Sequence, residues 1–116
     1  MKHVKNISLA DEIVVRQIAG EKAVIDCNRL GDCEQLAELG FANESGVMVR
    51  SITSSSERET LVRKLIKMKA LFPVGPGWSP AELVDYYRET GLIAGAYRAI
   101  RWKGPGDFYI EERHVE

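Results

Sequence analysis

Apolar residues recur along this chain in two rhythms. Leu61, Leu65, Met68 and Phe72 fall on one helical face, joined by Val62 and Ile66. Ser56 stands three residues before Glu59, the spacing of a capping box, so the pattern predicts an amphipathic helix over 57–72. Pro73, Gly75, Pro76 and Gly77 then break it. Ser79-Pro80-Ala81-Glu82 joins an N-cap, a proline at the first helical position and a box partner, and so predicts a second start. Leu83, Val84 and Tyr87 form its inward stripe and Gly91 its stop. Beyond residue 93 the rhythm shortens to alternation. Ala94 to Lys103 and Asp107 to Arg113 predict two antiparallel strands around Gly104, Pro105 and Gly106. Ala96, Arg98, Ile100 and Trp102 share one face of the first strand. Phe108 and Ile110 share a face of the second, with Tyr109 and Glu111 on the other.

The N-terminal half is less clear. Ser8, with Asp11 three residues on, can cap a helix striped by Leu9, Ile13 and Ile18 and ended by Gly20, and this is the preferred reading. The β-branched run Ile13-Val14-Val15 supports the competing one, a strand from Glu12 to Ile18 paired with Ala23 to Cys27. Lys22 to Cys27 reads as a strand. Asp32, with Gln35 after it, caps a two-turn helix stopped by Gly40. Ser45 and Gly46 turn into a strand over Val47 to Ile52. Together these predict an α+β chain, one two-layer domain over residues 1–116. About four strands, including the C-terminal antiparallel hairpin, would be packed by three to four helices, largely on one side.

The 116 residues are 45% hydrophobic and 28% charged, too apolar for a disordered chain. The formal net charge is -1, which gives no whole-protein attraction to nucleic acid or anionic membranes. The balance is uneven, however. The stretch 50–103 carries ten cations and five anions, while the flanking stretches are acidic. Arg63, Lys64 and Lys67 on the helix 57–72, with Arg98 and Arg101 on the hairpin 94–113, form a candidate basic surface for phosphate, the footprint of a nucleic-acid-binding protein. No apolar run of signal-peptide or membrane-spanning length occurs, and there are only two cysteines. Both features point to the cytoplasm.

Eight of the nine aromatic residues lie between Phe72 and Tyr109, more than a small core readily buries. Trp and Tyr combine a large apolar body with a polar handle, which suits interfaces. Trp78, Tyr86, Tyr97, Trp102 and Tyr109 are the candidate binding residues. The expected function is therefore a small binding module, homodimeric through this aromatic-rich surface, with a protein or small molecule as a further possible ligand. A small enzyme without a recognisable motif is a third reading. Its candidates are the acidic face Glu82, Asp85 and Glu89 and the thiol of Cys33. No catalytic residue is assigned and no cofactor is implied. The soft donors Cys27, Cys33, His3 and His114 lack the spacing of a zinc site.

One stretch resembles a known family. Gly20-Glu21-Lys22-Ala23, the helix residues Leu36, Leu39, Gly40 and Phe41, and the strand Val47-Met48-Val49 are similar in outline to the small SH3-like proteins of ferrous iron transport. The glycine expected between Phe41 and the strand stands instead at Gly46, and two helices follow where that family continues its barrel. The resemblance spans about a third of the chain. It implies a small β-barrel interaction module without enzymatic activity, and no functional residue is carried over.

Overall fold

The computed structural model describes residues 12–104 and 107–113. Seven strands form one mixed sheet: β1 (Val14–Gln17), β2 (Lys22–Asp26), β3 (Ala42–Glu44), β4 (Val47–Ser51), β5 (Leu71–Pro73), β6 (Tyr97–Gly104) and β7 (Asp107–Arg113). Three helices accompany them: α1 (Leu30–Glu38), α2 (Ser55–Lys67) and α3 (Pro80–Glu89). The strand order is β3-β4-β2-β1-β5-β6-β7. The expected four or so strands are thus corrected to seven, with three helices among the described residues. The sheet is open, with β3 and β7 as its edges, and does not form the barrel that the ferrous-iron-transport resemblance implies.

Most of the additional strands have simple causes. The helix preferred for the N-terminal stretch is replaced by β1, which pairs antiparallel with β2 through Val14–Asp26 and Val15–Ile25. Val14 and Val15 are β-branched and suit the pleated surface. The proposed cap Ser8 lies outside the described residues. Strand β3 is an exposed Ala-Asn-Glu triplet with no apolar alternation. It exists because Ser45 (φ 52°) and Gly46 (φ 91°) adopt the positive-φ pair of a tight hairpin turn, which sets Glu44 opposite Val47.

Strand β5 arises where α2 stops early. Lys69 has φ 63°. Its N–H donates to the carbonyl of Ile66 at 3.0 Å, and the N–H of Ala70 donates to that of Leu65 at 3.1 Å. This is the paired bonding of a Schellman ending. Gly40 and Gly91 occupy the same place behind α1 and α3, with φ 96° and 77°. A lysine there gives no glycine signal, so the apolar stripe read straight on to Phe72, which belongs to β5 rather than to a helix 57–72. Left-handed backbone costs a side chain about 1–2 kcal/mol. Lys69→Gly is therefore expected to stabilise the protein by about 0.5–1 kcal/mol in urea unfolding. A continuous helix through residue 69 would give a loss of about 1 kcal/mol instead.

The helix starts shift as well. α2 is capped by Ser54, whose hydroxyl accepts the Glu57 N–H at 3.1 Å. The Glu57 carboxylate accepts the Thr53 N–H at 3.0 Å and pairs with Arg50 at 3.3 Å. These contacts favour Ser54 over Ser56. α1 starts at Leu30 behind Arg29, which supplies no side-chain cap, and Asp32 sits inside the first turn. α3 begins as its sequence predicts, with the Ser79 hydroxyl accepting the Glu82 N–H at 3.3 Å and Pro80 leading the helix.

All three helices bury their stripes on one face of the sheet. Leu36, Leu61, Leu65 and Val84 pack there against Val15, Ile25, Phe72 and Ala99. The opposite face holds a smaller cluster of Val14, Leu71, Ile100 and Ile110, with Phe108 against it and no helix residue in it. β1, β5 and β6 run parallel, with Val14 beside Leu71 and Phe72 beside Ala99. The hairpin of β6 and β7 is antiparallel, with Ile100 opposite Ile110 and Trp102 opposite Phe108.

Candidate functional site

An open cavity of about 430 Å³ lies beside α3. Trp78, Tyr86, Tyr87 and Leu92 supply its apolar wall, and Ala19 and Arg58 close another side. Local geometry explains why these residues meet. Trp78 stands immediately before the Ser79 cap, at the mouth of the helix. Tyr86 lies two turns along α3, and the two rings contact edge to face with centroids 5.5 Å apart. Tyr87 turns inward and is buried, while Tyr86 stays on the outer edge. Leu92 follows Gly91, where an apolar residue commonly folds back over a helix end. Trp78, Tyr86 and Leu92 are 57%, 46% and 43% exposed, among the most exposed large apolar side chains described.

Arg58 holds the far wall. It donates to the carbonyls of Ile18 at 2.9 Å and Gly20 at 2.8 Å, tying α2 to the β1–β2 turn. Its charge thus satisfies backbone acceptors that the turn leaves unpaired. The sequence singled out Trp78 and Tyr86. It missed Leu92 because that residue lies past the helix stop, and Arg58 because its partners come from a turn forty residues away.

The remaining aromatic candidates lie elsewhere. Tyr97 is buried and belongs to the helix-side core. Trp102 is half exposed on the opposite side of the sheet, edge-on to Phe108 at 5.5 Å. Tyr109 is half-buried on β7, with the Lys103 ammonium over its ring at 5.4 Å. The five aromatic candidates therefore divide between two faces, and of these five only Trp78 and Tyr86 line the cavity, beside Tyr87.

The basic candidates are also distributed. Arg63 pairs with Glu59 at 2.6 Å and donates to the Leu92 carbonyl. Lys64 lines a cavity with Arg50 and Glu57. Lys67 and Arg98 line another with Lys69 and Glu112, and Arg98 is held by Glu12 at 3.0 Å and by the Lys69 carbonyl. Arg101 pairs with Glu111 at 3.2 Å.

A polar network fixes α3 to the hairpin behind the cavity. The Tyr97 hydroxyl donates to the Asp85 carboxylate at 2.6 Å, with the Ala81 carbonyl as a second acceptor within reach at 3.2 Å. Arg113 donates to the other Asp85 oxygen at 2.6 Å and pairs with Glu111 at 2.8 Å. Burial, then the bond to Asp85, holds the Tyr97 phenol well above its ordinary range. Burial alone would raise Glu111. The bond and charge of Arg113, with the charge of Arg101, outweigh it and hold that carboxyl below its usual value. Within the acidic face Glu82, Asp85 and Glu89, Asp85 is thus engaged in holding the helix. No cluster of three or more His, Cys, Asp or Glu suited to a metal ion occurs among the described residues, and His3 and His114 lie outside them. No described helix is long and apolar enough to cross a membrane.

Neither a scan against protein-family models nor searches of curated proteins and of solved structures find a match to this chain.

Proposed function

We propose that this chain is a homodimeric binding module of the cytoplasm, and that its copies pair through the surface around Trp78 and Tyr86. One observation carries the reading: the same small patch holds a largely exposed tryptophan, edge-on to Tyr86, and the open cavity that both rings line. A two-fold interface places identical surfaces against each other, so it needs a patch that is both knob and hole. Rotation about an axis at this patch directs Trp78 of each copy toward the hollow beside Tyr86 and Leu92 of the other. Tryptophan and tyrosine are the residue types that most often carry association energy, because they exclude much water for few frozen torsions. Arg58 is already satisfied by backbone carbonyls, so covering this wall strands none of those bonds.

The test is sedimentation velocity over a concentration series, on the parent chain and on Trp78→Ala and Tyr86→Ala. The parent is expected to be dimeric. Each truncation is expected to weaken pairing about thirtyfold, the equivalent of about 2 kcal/mol at a central anchor. Far-ultraviolet circular dichroism should be unchanged, since both side chains are largely outside the core. A parent that stays monomeric at high concentration, or truncations that pair as well as the parent, would refute the proposal.

A further inference from the structure

Five residues and a helix start separate the two cysteines in sequence, yet their sulfur atoms lie 3.3 Å apart. Cys27 follows the last residue of β2 and turns into the helix-side core, where it is 5% exposed. Cys33 lies in the first turns of α1, is less buried and packs against that core. Its thiol also meets the Cys27 carbonyl at 3.3 Å, so the chain returning from β2 brings the helix directly over the strand end. Sulfur atoms at this distance touch. Closing to a disulfide bond of about 2.05 Å needs an approach of about 1.3 Å, within reach of side-chain rotation.

We propose that Cys27 and Cys33 form a thiol–disulfide exchange site that reduces a small-molecule disulfide and closes into an intrachain disulfide. Cys33, the more accessible sulfur, attacks first as the thiolate. It bonds to one sulfur of the incoming disulfide, whose other half leaves as a thiolate and takes up the proton that Cys33 gave up. Cys27, deprotonated in turn, then attacks the Cys33 sulfur and expels the second half. In total the protein loses two protons and two electrons, and the reagent becomes two thiols. Burial, and then the neighbouring Cys33, push the Cys27 thiol up to about 12. A thiol held protonated in this way is a poor nucleophile, which leaves the first attack to the more accessible Cys33.

The location gives the bond a structural effect. α1 has no side-chain cap at Arg29, and Leu36 is its one fully buried residue. A link from Cys27 to Cys33 fastens this weakly held start to the end of β2. The site is independent of the surface at Trp78.

The experiment treats the folded, reduced protein with glutathione disulfide and follows intact mass. The expected product has lost the mass of two hydrogen atoms, carries no glutathione and returns to the starting mass with dithiothreitol. Peptide mapping should join Cys27 to Cys33 within one chain. Cys27→Ser is expected to stop at a single, stable glutathione adduct on Cys33. Cys33→Ser should react at least tenfold more slowly than Cys27→Ser, because only the buried sulfur remains. Accumulation of glutathione adducts on the parent would overturn the proposal. So would two unreacted thiols in the folded parent under conditions where the urea-unfolded chain oxidises.

Discussion

Phe72→Ala is expected to lower the unfolding free energy by about 3–5 kcal/mol, the cost of removing a fully enclosed aromatic ring. Phe72 is wholly buried in β5, a strand lined on both sides by β1 and β6. Its ring meets Tyr97 edge to face at 5.7 Å, with an interplanar angle of 81°. It also shares the core on the helix side with Val84 and Leu65. Central strands cannot close up around a deleted side chain without disturbing their hydrogen bonds, which places the loss toward the upper part of that range. Domains of this size are stable by about 5–15 kcal/mol, so the variant should be marginal at physiological temperature. Equilibrium unfolding in guanidinium checks this, and a loss under about 1 kcal/mol would contradict the position assigned to β5.

Asp85→Ala comes next, with an expected loss of about 2 kcal/mol, typical of hydrogen bonds to a charged group. Asp85 accepts from Tyr97 and Arg113, and both donors keep a second partner, in Ala81 and Glu111. The cost therefore stays below the 3–5 kcal/mol or so of a fully stranded buried charge. Asp85→Asn preserves shape and should recover part of it. Combining Asp85→Ala with Tyr97→Phe should cost less than the two changes summed, because they remove one shared bond. Acid unfolding tests the same network. The Glu111 carboxyl is lowered in the folded protein, so its contribution is full above the ordinary carboxylate range. It fades as pH falls through the depressed value. Glu111→Gln should flatten the acid limb of the stability curve below about pH 4. An unchanged limb would assign the acid sensitivity to other groups.

Much of this arrangement was legible in the chain where local chemistry acts alone. Ser79, Pro80 and Glu82 define the start of α3, and Gly91 its end, without help from the rest of the molecule. Lys69 shows the limit. It takes a glycine's conformation because the core draws Ala70 and Leu71 inward, and no local pattern announces that. Ala42 to Glu44 form a strand only because β4 lies beside them. The candidate surface divides in the same way. Trp78 and Tyr86 stand out in the sequence as aromatic residues with a polar handle, but nothing local separates them from Tyr97, Trp102 and Tyr109, which lie elsewhere. Leu92, Arg58 and the contact between Cys27 and Cys33 depend on where the chain returns after turns and helices, which composition and periodicity do not encode.

The parallel trio β1, β5 and β6 carries a consequence for biosynthesis. The segment from β1 to β4 can assemble by hairpin-like steps as it leaves the ribosome, since its pairs are antiparallel and near in sequence. The other edge of β1 must then wait for Leu71, and β5 in turn for Arg98. Until those residues emerge, the nascent chain carries an unsatisfied strand edge at what becomes the middle of the sheet, the kind of edge that recruits other chains. The final hairpin therefore completes the sheet and also ends the interval in which the unfinished protein is most open to misassociation.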